Sequence, residues 1–277
     1  MSVKWNSVEL ALEPGVNIHA LHGRHFDTQI DTDVDTKAPR PTLVLLHEAL
    51  GCIAMWKAVP QQLMALTGAD VFVYERRGYG GSSPITLPRP DDYLEQEGRD
   101  WLPGILESAG ITGPVILVGH SDGGSIALVG AAVLGAQVRG LVTMAAHIYI
   151  DHLTLAGIRE TVARYRAPDS DLPARLARYH GERTDLLFRA WHETWARPAY
   201  TAFNLSPWLS DIRCPALIMQ GEDDQYGVSE QVSDICAGIG PGAQPLLIPR
   251  CGHIPHLETP AATLPAIADF VASLEAS

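Results

Sequence analysis

The chain has 277 residues, of which 46% are hydrophobic and 19% are charged, and its formal net charge is −12. Those values are typical of a globular protein with one large α/β domain or two small domains. The acidic charge argues against nucleic acid or an anionic membrane surface as a partner. The sequence also contains no apolar run of about 18 residues, the length that a membrane-spanning helix needs.

The first half of the chain is predicted to form strands separated by loops and helices. Residues 7–12 and 16–20 alternate polar and apolar side chains, as half-exposed strands do. Residues 27–41 are polar and are predicted to form a surface loop. The other predicted elements of this half are strands at 42–46 and 70–74 and helices at 55–66 and 92–109.

The second half continues the alternation of strands and helices. Strands are predicted at 115–118, 140–144, 215–219 and 245–248, and helices at 124–132, 229–239 and 263–274. Such an alternation predicts an α/β fold with a doubly wound, mostly parallel sheet.

Residues 148–210 interrupt this alternation because they contain no clear strand. They carry a cluster of aromatic residues, Trp191, Trp195, Tyr200, Phe203 and Trp208. We predict that this segment is an inserted helical cap over the carboxyl edge of the sheet, where open α/β sheets bind ligands. The predicted core is then formed by residues 1–147 and 211–277.

The cysteines and the N-terminal residues bear on location and metal binding. Cys52, Cys214, Cys236 and Cys251 show neither a C-x-x-C pair nor the spacing of a zinc site, so we expect reduced thiols and no metal. Residues 1–6 lack the basic and apolar segments of a signal peptide. We therefore predict a cytoplasmic protein.

The motif Gly119-His120-Ser121-Asp122-Gly123 follows a predicted buried strand and precedes a helix of small residues. In that context a G-x-S-x-G pattern predicts a sharp, strained turn that raises the central side chain above the sheet. The two glycines are expected because a Cβ atom at either place would collide with a neighbouring strand or helix. Ser121 is therefore a candidate nucleophile.

A serine nucleophile needs a base and an acid, which follow Ser121 in the order expected for such a sheet. The loop after the strand at 215–219 contains Glu222, Asp223 and Asp224, and the loop after the strand at 245–248 contains His253. Both loops follow strand ends at the edge that carries the motif. An acid and an imidazole are thus predicted to lie near Ser121.

These motifs, together with residues 45–51 and 75–84, resemble the α/β-hydrolase superfamily over nearly the whole chain, and most closely its serine carboxylesterase and lactonase branch. The resemblance implies an eight-stranded sheet with a helical cap. It also implies Ser121 as nucleophile, His253 as base and Asp224 as the orienting acid, with Asp223 as the alternative acid.

The resemblance further implies two backbone donors for an oxyanion hole. One is the N–H of Asp122, and the other is the N–H of Ala49, with Leu50 next in line. Here the chain departs from the family pattern, which has His-Gly where this chain has His47-Glu48. Glu48 restricts the backbone and brings a carboxylate near the site.

Several other residues are assigned from their position in the chain. Glu48, Leu50, His147, Trp191, Trp195 and Tyr226 are the candidate substrate-binding residues; His147 could instead sit at a strand end, and the tryptophans could belong to the core of the cap. His47 is expected to hold its loop, and His256 to be a partly exposed loop residue. Arg76 and Arg77 are expected to be structural ion-pair partners.

The predicted reaction is acyl transfer to water on a small carboxylic ester or lactone, without metal or cofactor. A thioester, a carbon–carbon bond next to a ketone, a perhydrolase reaction and a non-hydrolytic ligand receptor remain as alternatives, because one fold hosts all of these. The expected partner is the small-molecule substrate, and both a monomer and a homodimer fit the sequence.

Overall fold

The computed structural model describes residues 2–26 and 40–275. Residues 27–39, which make up most of the predicted surface loop, lie outside the described residues. The described residues form one eight-stranded sheet, ordered β1-β2-β4-β3-β5-β6-β7-β8. Its strands are β1 Ser2–Glu13, β2 Val16–Phe26, β3 Thr42–Leu46, β4 Asp70–Tyr74, β5 Val115–His120, β6 Val138–Met144, β7 Ala216–Gly221 and β8 Ala243–Ile248.

The sheet is antiparallel where β1, β2 and β4 pair and parallel from β4 through β8. The predicted mostly parallel, eight-stranded sheet is therefore confirmed. Strands β3, β5 and β7 end at one edge, so the loops that follow them share one end of the molecule.

Continuous apolar strands form because helices cover both faces of the sheet. Successive side chains of a strand point to opposite faces. In β3, Leu43 and Leu45 accordingly belong to one hydrophobic cluster, while Val44 and Leu46 belong to the other.

Most of the described helices pack on these two faces, and four of them occupy the stretch of the chain that follows β6 and precedes β7. They are α1 Val59–Thr67, α2 Tyr93–Gln96, α3 Leu102–Ser108, α4 Asp122–Leu134, α5 His152–Arg166, α6 Leu172–His180, α7 Thr184–Trp195, α8 Ser206–Leu209, α9 Glu230–Ile239, α10 Pro255–Glu258 and α11 Pro260–Glu275. Helices α5 to α8 fall within the segment that sequence analysis predicted to be free of strands.

Two predicted helices differ in detail from those observed. The helix predicted at 55–66 begins at Val59, after a 3-10 turn at Ile53–Trp56. The helix predicted at 92–109 contains one π-helical turn, Glu97–Trp101, between α2 and α3. That turn lies against α4 so closely that a Cβ atom on Gly98 would be 2.7 Å from the carbonyl oxygen of Ile126.

Candidate active site

The turn after β5 holds Ser121 in a strained backbone conformation. Its φ is 53° and its ψ is −121°, a region that residues other than glycine rarely adopt. A Cβ atom on Gly119 would lie 2.1 Å from the carbonyl oxygen of Gly123, and one on Gly123 would lie 2.0 Å from that of Leu46. Close backbone approaches therefore require both glycines, as the sequence pattern predicted.

Ser121, His253 and Asp224 form one continuous hydrogen-bonded row. The Nε2 atom of His253 is 2.9 Å from the Ser121 Oγ atom, and its Nδ1 atom is 2.9 and 3.0 Å from the two carboxylate oxygens of Asp224. A carboxylate only accepts, so Nδ1 carries the proton and the lone pair of Nε2 faces the serine hydroxyl. The structure thus brings together the three residues that sequence analysis grouped.

Asp224, and not Asp223, contacts the imidazole of His253. Asp224 is buried and also accepts a hydrogen bond from the backbone N–H of Tyr226 at 2.8 Å, whereas Asp223 is exposed. Burial by itself raises the pKa of Asp224, but the charge and hydrogen bond of His253, with the Tyr226 N–H, bring that pKa below its ordinary value. The carboxylate is therefore ionised at neutral pH and can orient the imidazole.

Ala49 and Asp122 line the cavity next to Ser121, and so does Leu50. Asp122 is the first residue of α4, so its N–H belongs to the helix start and has no partner inside the helix. Within the described part of the chain, no acceptor is present for the N–H of either Ala49 or Asp122. Two such donors are suited to stabilise negative charge on an oxygen atom.

The carboxylate of Glu48 lies beside the turn that carries Ser121. Its Oε2 atom is 3.4 Å from Nδ1 of His120, and a Cβ atom on Gly51 would lie only 2.4 Å from that oxygen. Burial raises the pKa of Glu48, but the neighbouring His120 and His47 outweigh this effect and hold the pKa well below its usual range. Nothing in the sequence pointed to His120, because it fills the variable position of the G-x-S-x-G pattern.

The cavity above Ser121 measures about 210 Å³ and is lined mainly by apolar side chains. All six candidate substrate-binding residues line it: Glu48, Leu50, His147, Trp191, Trp195 and Tyr226. Sequence analysis missed further wall residues, which are Met55, His120, Thr154, Ile158, Thr161, Leu172, Leu176 and Ile254. Five of these eight lie on α5 and α6, where sequence alone gave no orientation for a helix relative to the sheet.

The two tryptophans of α7 belong both to the packed interior and to the cavity wall. Trp191 and Trp195 are buried. The indole N–H of Trp195 donates to the hydroxyl of Tyr93 at 2.8 Å, which fixes the ring in place. The face of Trp195 therefore forms a fixed part of the cavity wall.

His147 lines the cavity as a neutral ring. Its Nε2 atom donates to the carbonyl oxygen of Tyr226 at 2.8 Å, while its buried Nδ1 atom has no partner among the described residues. Burial, with the nearby His253, lowers the pKa of His147. Of the two expectations for His147, the structure therefore supports a place in the pocket wall.

His47 holds its loop, as expected. Its Nδ1 atom is 2.8 Å from the carbonyl oxygen of Glu48, and its Nε2 atom accepts the backbone N–H of Arg76 at 3.1 Å. Arg76 is completely buried and pairs with Asp122 at 3.4 Å, which confirms its structural ion pair. Arg77 makes a different contact, with its guanidinium 4.0 Å from the ring centre of Trp101.

The expectation for His256 was wrong. The side chain is buried rather than partly exposed, and it lies in α10 with its ring 4.6 Å from that of Trp56 and 4.8 Å from that of His120. Trp56 belongs to the 3-10 turn after β3, and His120 is the last residue of β5. Sequence analysis could not anticipate the burial because it depends on contacts between residues far apart in the chain.

The described residues contain neither a metal-binding cluster nor a membrane-spanning helix. Over residues 2–26 and 40–275 there is no group of three or more His, Cys, Asp or Glu side chains that could hold a metal ion. In the same residues no helix has both the length and the apolar character needed to cross a bilayer.

Residues 43–266 match the model of the alpha/beta hydrolase family. The match covers most of the chain, and the chain belongs to that family. The fold and the turn that carries Ser121 agree with this assignment.

Two known proteins and one solved structure illustrate the range of similar proteins. The serine hydrolase BPHL of Homo sapiens is 28% identical over 197 residues, which are 68% of this chain but 64% of that protein. The sn-1-specific diacylglycerol lipase ABHD11 of Mus musculus is 26% identical over 264 residues, 86% of this chain and 83% of that protein. A thermophilic esterase from Thermogutta terrifontis shares the fold with a TM-score of 0.65 at 22% identity, over 97% of this chain and 99% of its own.

Proposed function

We propose that this chain is a serine hydrolase that cleaves a small, uncharged carboxylic ester or lactone. The hydrogen-bonded row of Ser121, His253 and Asp224, which opens into an apolar cavity, carries this proposal. In the proposed reaction Oγ of Ser121 attacks the carbonyl carbon while Nε2 of His253 takes the hydroxyl proton. The departing alkoxide takes that proton and leaves an acyl-enzyme.

The second half of the proposed reaction uses the same groups. His253 removes a proton from water, the hydroxide attacks the acyl carbon, and the bond to Ser121 breaks as His253 returns the proton to Oγ. Asp224 stabilises the imidazolium that forms in each half. The N–H groups of Ala49 and Asp122 would stabilise the oxyanion, and none of these steps requires a metal or a cofactor.

The cavity favours an uncharged acyl group. Among its described lining residues there is neither Lys nor Arg, so an acyl chain that ends in a carboxylate would lose its hydration without gaining an ionic partner. The wall that α5, α6 and α7 contribute is mainly apolar or aromatic. In this proposal residues 148–210 act as a cap that selects the acyl group, and a modest aliphatic or aromatic acyl group fits best.

The similar proteins support the type of reaction without specifying its substrate. The names of the two related proteins describe a serine hydrolase and a diacylglycerol lipase. The solved structure bears on the fold alone at its level of identity.

Hydrolysis of p-nitrophenyl acetate, butyrate, octanoate and benzoate by the wild type and by Ser121→Ala tests the proposal. We expect turnover by the wild type and its loss, by at least about 1000-fold, in Ser121→Ala, because no other group supplies the nucleophile. The variant Ser233→Ala, which changes an exposed serine, is the matched control and should keep wild-type turnover. Circular dichroism should show that all three proteins are folded.

Labelling with a fluorophosphonate separates the possible failures. Labelling of Ser121 without turnover of any ester would preserve the nucleophile and move the search to lactones, thioesters and diketones. Full turnover by Ser121→Ala, or the absence of both labelling and turnover in the wild type, would overturn the proposal. Tight binding of small apolar ligands in that last case would favour a receptor.

A further inference from the structure

Arg76 contacts both segments that carry the proposed oxyanion donors, which are the loop after β3 and the start of α4. Its guanidinium donates to the carbonyl oxygen of Glu48 at 2.8 Å through one terminal nitrogen and pairs with the carboxylate of Asp122 at 3.4 Å through the other. We propose that Arg76 is a positioning residue that aims and polarises the N–H groups of Ala49 and Asp122 at the substrate oxygen. This inference rests on the proposed serine hydrolase function.

The carbonyl oxygen of Glu48 is held by three donors. Besides Arg76, the Nδ1 atom of His47 lies 2.8 Å from it and the N–H of Gly51 lies 3.1 Å from it. In a trans peptide the C=O and the following N–H point in opposite directions. Fixing the Glu48 carbonyl therefore fixes the direction of the Ala49 N–H, which belongs to the same peptide unit.

The tautomer of His47 is consistent with this arrangement. Its Nε2 atom accepts the backbone N–H of Arg76 at 3.1 Å, so Nδ1 carries the hydrogen and donates to the Glu48 carbonyl. Burial and the charge of Arg76 lower the pKa of His47 well below its usual range, which keeps the ring neutral. Arg76 thus acts on this peptide twice, through its guanidinium and through its backbone N–H.

The neighbouring carbonyls of the loop are also turned to protein donors. The hydroxyl of Tyr79 donates to the carbonyl oxygen of Ala49 at 2.5 Å, and Nε2 of His180 in α6 donates to that of Leu50 at 2.8 Å. The loop therefore directs its acceptors into the protein. Because Tyr79 and His180 hold the rest of the loop, loss of Arg76 should affect the Glu48–Ala49 peptide most.

The contact with Asp122 extends the effect to the second donor. The Asp122 carboxylate accepts from Arg76 and from the hydroxyl of Tyr93, the latter at 2.7 Å, and both Arg76 and Asp122 are buried. Fixing this side chain also fixes the backbone of Asp122, the first residue of α4, whose N–H has no partner inside the helix. A hydrogen bond from a cation to a peptide carbonyl also polarises that peptide and strengthens its N–H as a donor.

Arg76→Lys tests this inference because lysine keeps the charge but cannot reach both partners with a rigid fork. The readouts are kcat and KM on p-nitrophenyl butyrate and the affinities for phenylboronic acid and benzamide. The boron atom takes an electron pair from Ser121 Oγ, the hydroxyl proton passes to His253, and the anionic tetrahedral adduct places one of its boron-bound hydroxyl oxygens in the oxyanion hole. Benzamide is planar and uncharged, so it brings no negative charge to the oxyanion donors and reports on binding of the ground state.

We expect Arg76→Lys to lower kcat by about 10- to 100-fold with less than about 3-fold change in KM, because oxyanion stabilisation acts on the transition state. Boronate affinity should fall in parallel while benzamide affinity stays unchanged. Arg77→Lys, at the neighbouring arginine that stacks on Trp101, should alter none of these values by more than about 2-fold. Unchanged kcat in Arg76→Lys, or equal losses of boronate and benzamide affinity, would overturn the inference.

Asp122→Asn provides a second test if Arg76→Lys does not fold. Asparagine keeps an oxygen acceptor for Tyr93 and Arg76 but removes the negative charge that forms the ion pair with Arg76. Because a weaker contact with Arg76 fixes the first residue of α4 less well, we expect a lower melting temperature and a boronate affinity reduced by at least about 3-fold, with benzamide affinity unchanged. A purely structural ion pair predicts a lower melting temperature with both affinities unchanged, and that result would overturn the inference. A wild type that neither cleaves esters nor binds the boronate would overturn the proposed function itself and would be distinguishable from a failure of Arg76 alone.

Discussion

The Nε2 atom of His120 lies 2.7 Å from the carbonyl oxygen of His253. A carbonyl only accepts, so Nε2 carries a hydrogen, and the remaining ring nitrogen, Nδ1, faces the Glu48 carboxylate at 3.4 Å. Through His120, the loop after β3 and the loop after β8 are joined across the turn that carries Ser121.

Replacing His120 by Phe should weaken both the fold and the reaction. Phe keeps the ring contacts with His253 and His256 but leaves the buried His253 carbonyl without its donor. The unfolding free energy should fall by about 1–3 kcal/mol, the cost of an unsatisfied buried polar group, and kcat should fall because the loop that carries His253 is less fixed. Urea unfolding and ester kinetics measure the two effects, and wild-type values for both would show that the hydrogen bond has no role.

The two neighbouring aspartates should differ sharply in their effect on activity. Asp224→Asn should lower kcat by about 1000-fold or more, because an amide favours the wrong tautomer of His253 and cannot stabilise its cationic form. Asp223→Asn changes an exposed carboxylate and should stay within about 2-fold of the wild type. Ester hydrolysis at pH 7.5 decides between them, and the reverse order of losses would make Asp223 the acid.

Features of the site that depend on neighbouring residues or on the order of elements along the chain could be predicted from the sequence. The G-x-S-x-G pattern requires a strained turn because Gly119 and Gly123 approach other backbone atoms within about 2 Å when a Cβ is added. The loops that carry the predicted acid and base follow from chain order, since the loops after parallel strands meet at one edge of the sheet, whereas the preference for Asp224 over Asp223 came from the family resemblance. Both arguments need only the residues near each motif and the alternation of strands and helices.

Long-range packing could not be predicted in the same way. Arg76 was assigned an ion pair, but its simultaneous contact with the Glu48 carbonyl and the Asp122 carboxylate depends on how three strand ends are arranged in space. His256 was expected to be partly exposed, and its burial against Trp56 depends on the path of two separate turns. Neither contact leaves a pattern in neighbouring residues.

An acyl chain that ends in a carboxylate should be a poor substrate. We expect p-nitrophenyl pentanoate to exceed mono-p-nitrophenyl glutarate in kcat/KM by about 100-fold or more, because no described wall residue is Lys or Arg. Leu172 lines the cavity and is half-buried, so Leu172→Arg should place a cation there. The ratio of kcat/KM for the pentanoate ester to kcat/KM for the glutarate ester should then fall by at least about 10-fold.

The control is Leu172→Gln, whose side chain is similar in size to leucine and is polar but uncharged. This variant should leave the ratio of the two esters near the wild-type value. A wild type that cleaves both esters equally well would contradict the uncharged acyl pocket and would indicate an ionic partner for the glutarate carboxylate.

Buried His256 should make the protein sensitive to acid. Burial and the neighbouring His120 lower the pKa of His256 from 6.5 to about 3, against an opposing effect of Glu48. As the pH falls below about 6.5, the unfolded chain binds a proton that the folded chain does not bind, so stability is lost between about pH 6.5 and 3 and is unaffected above that range.

Relative to the wild type, His256→Phe should therefore lose about 2 kcal/mol less unfolding free energy between pH 7.5 and pH 5.0, as measured by urea denaturation. His152→Phe, at an exposed histidine, should keep the wild-type pH dependence, and an unchanged dependence in His256→Phe would mean that folding does not lower the pKa of this ring.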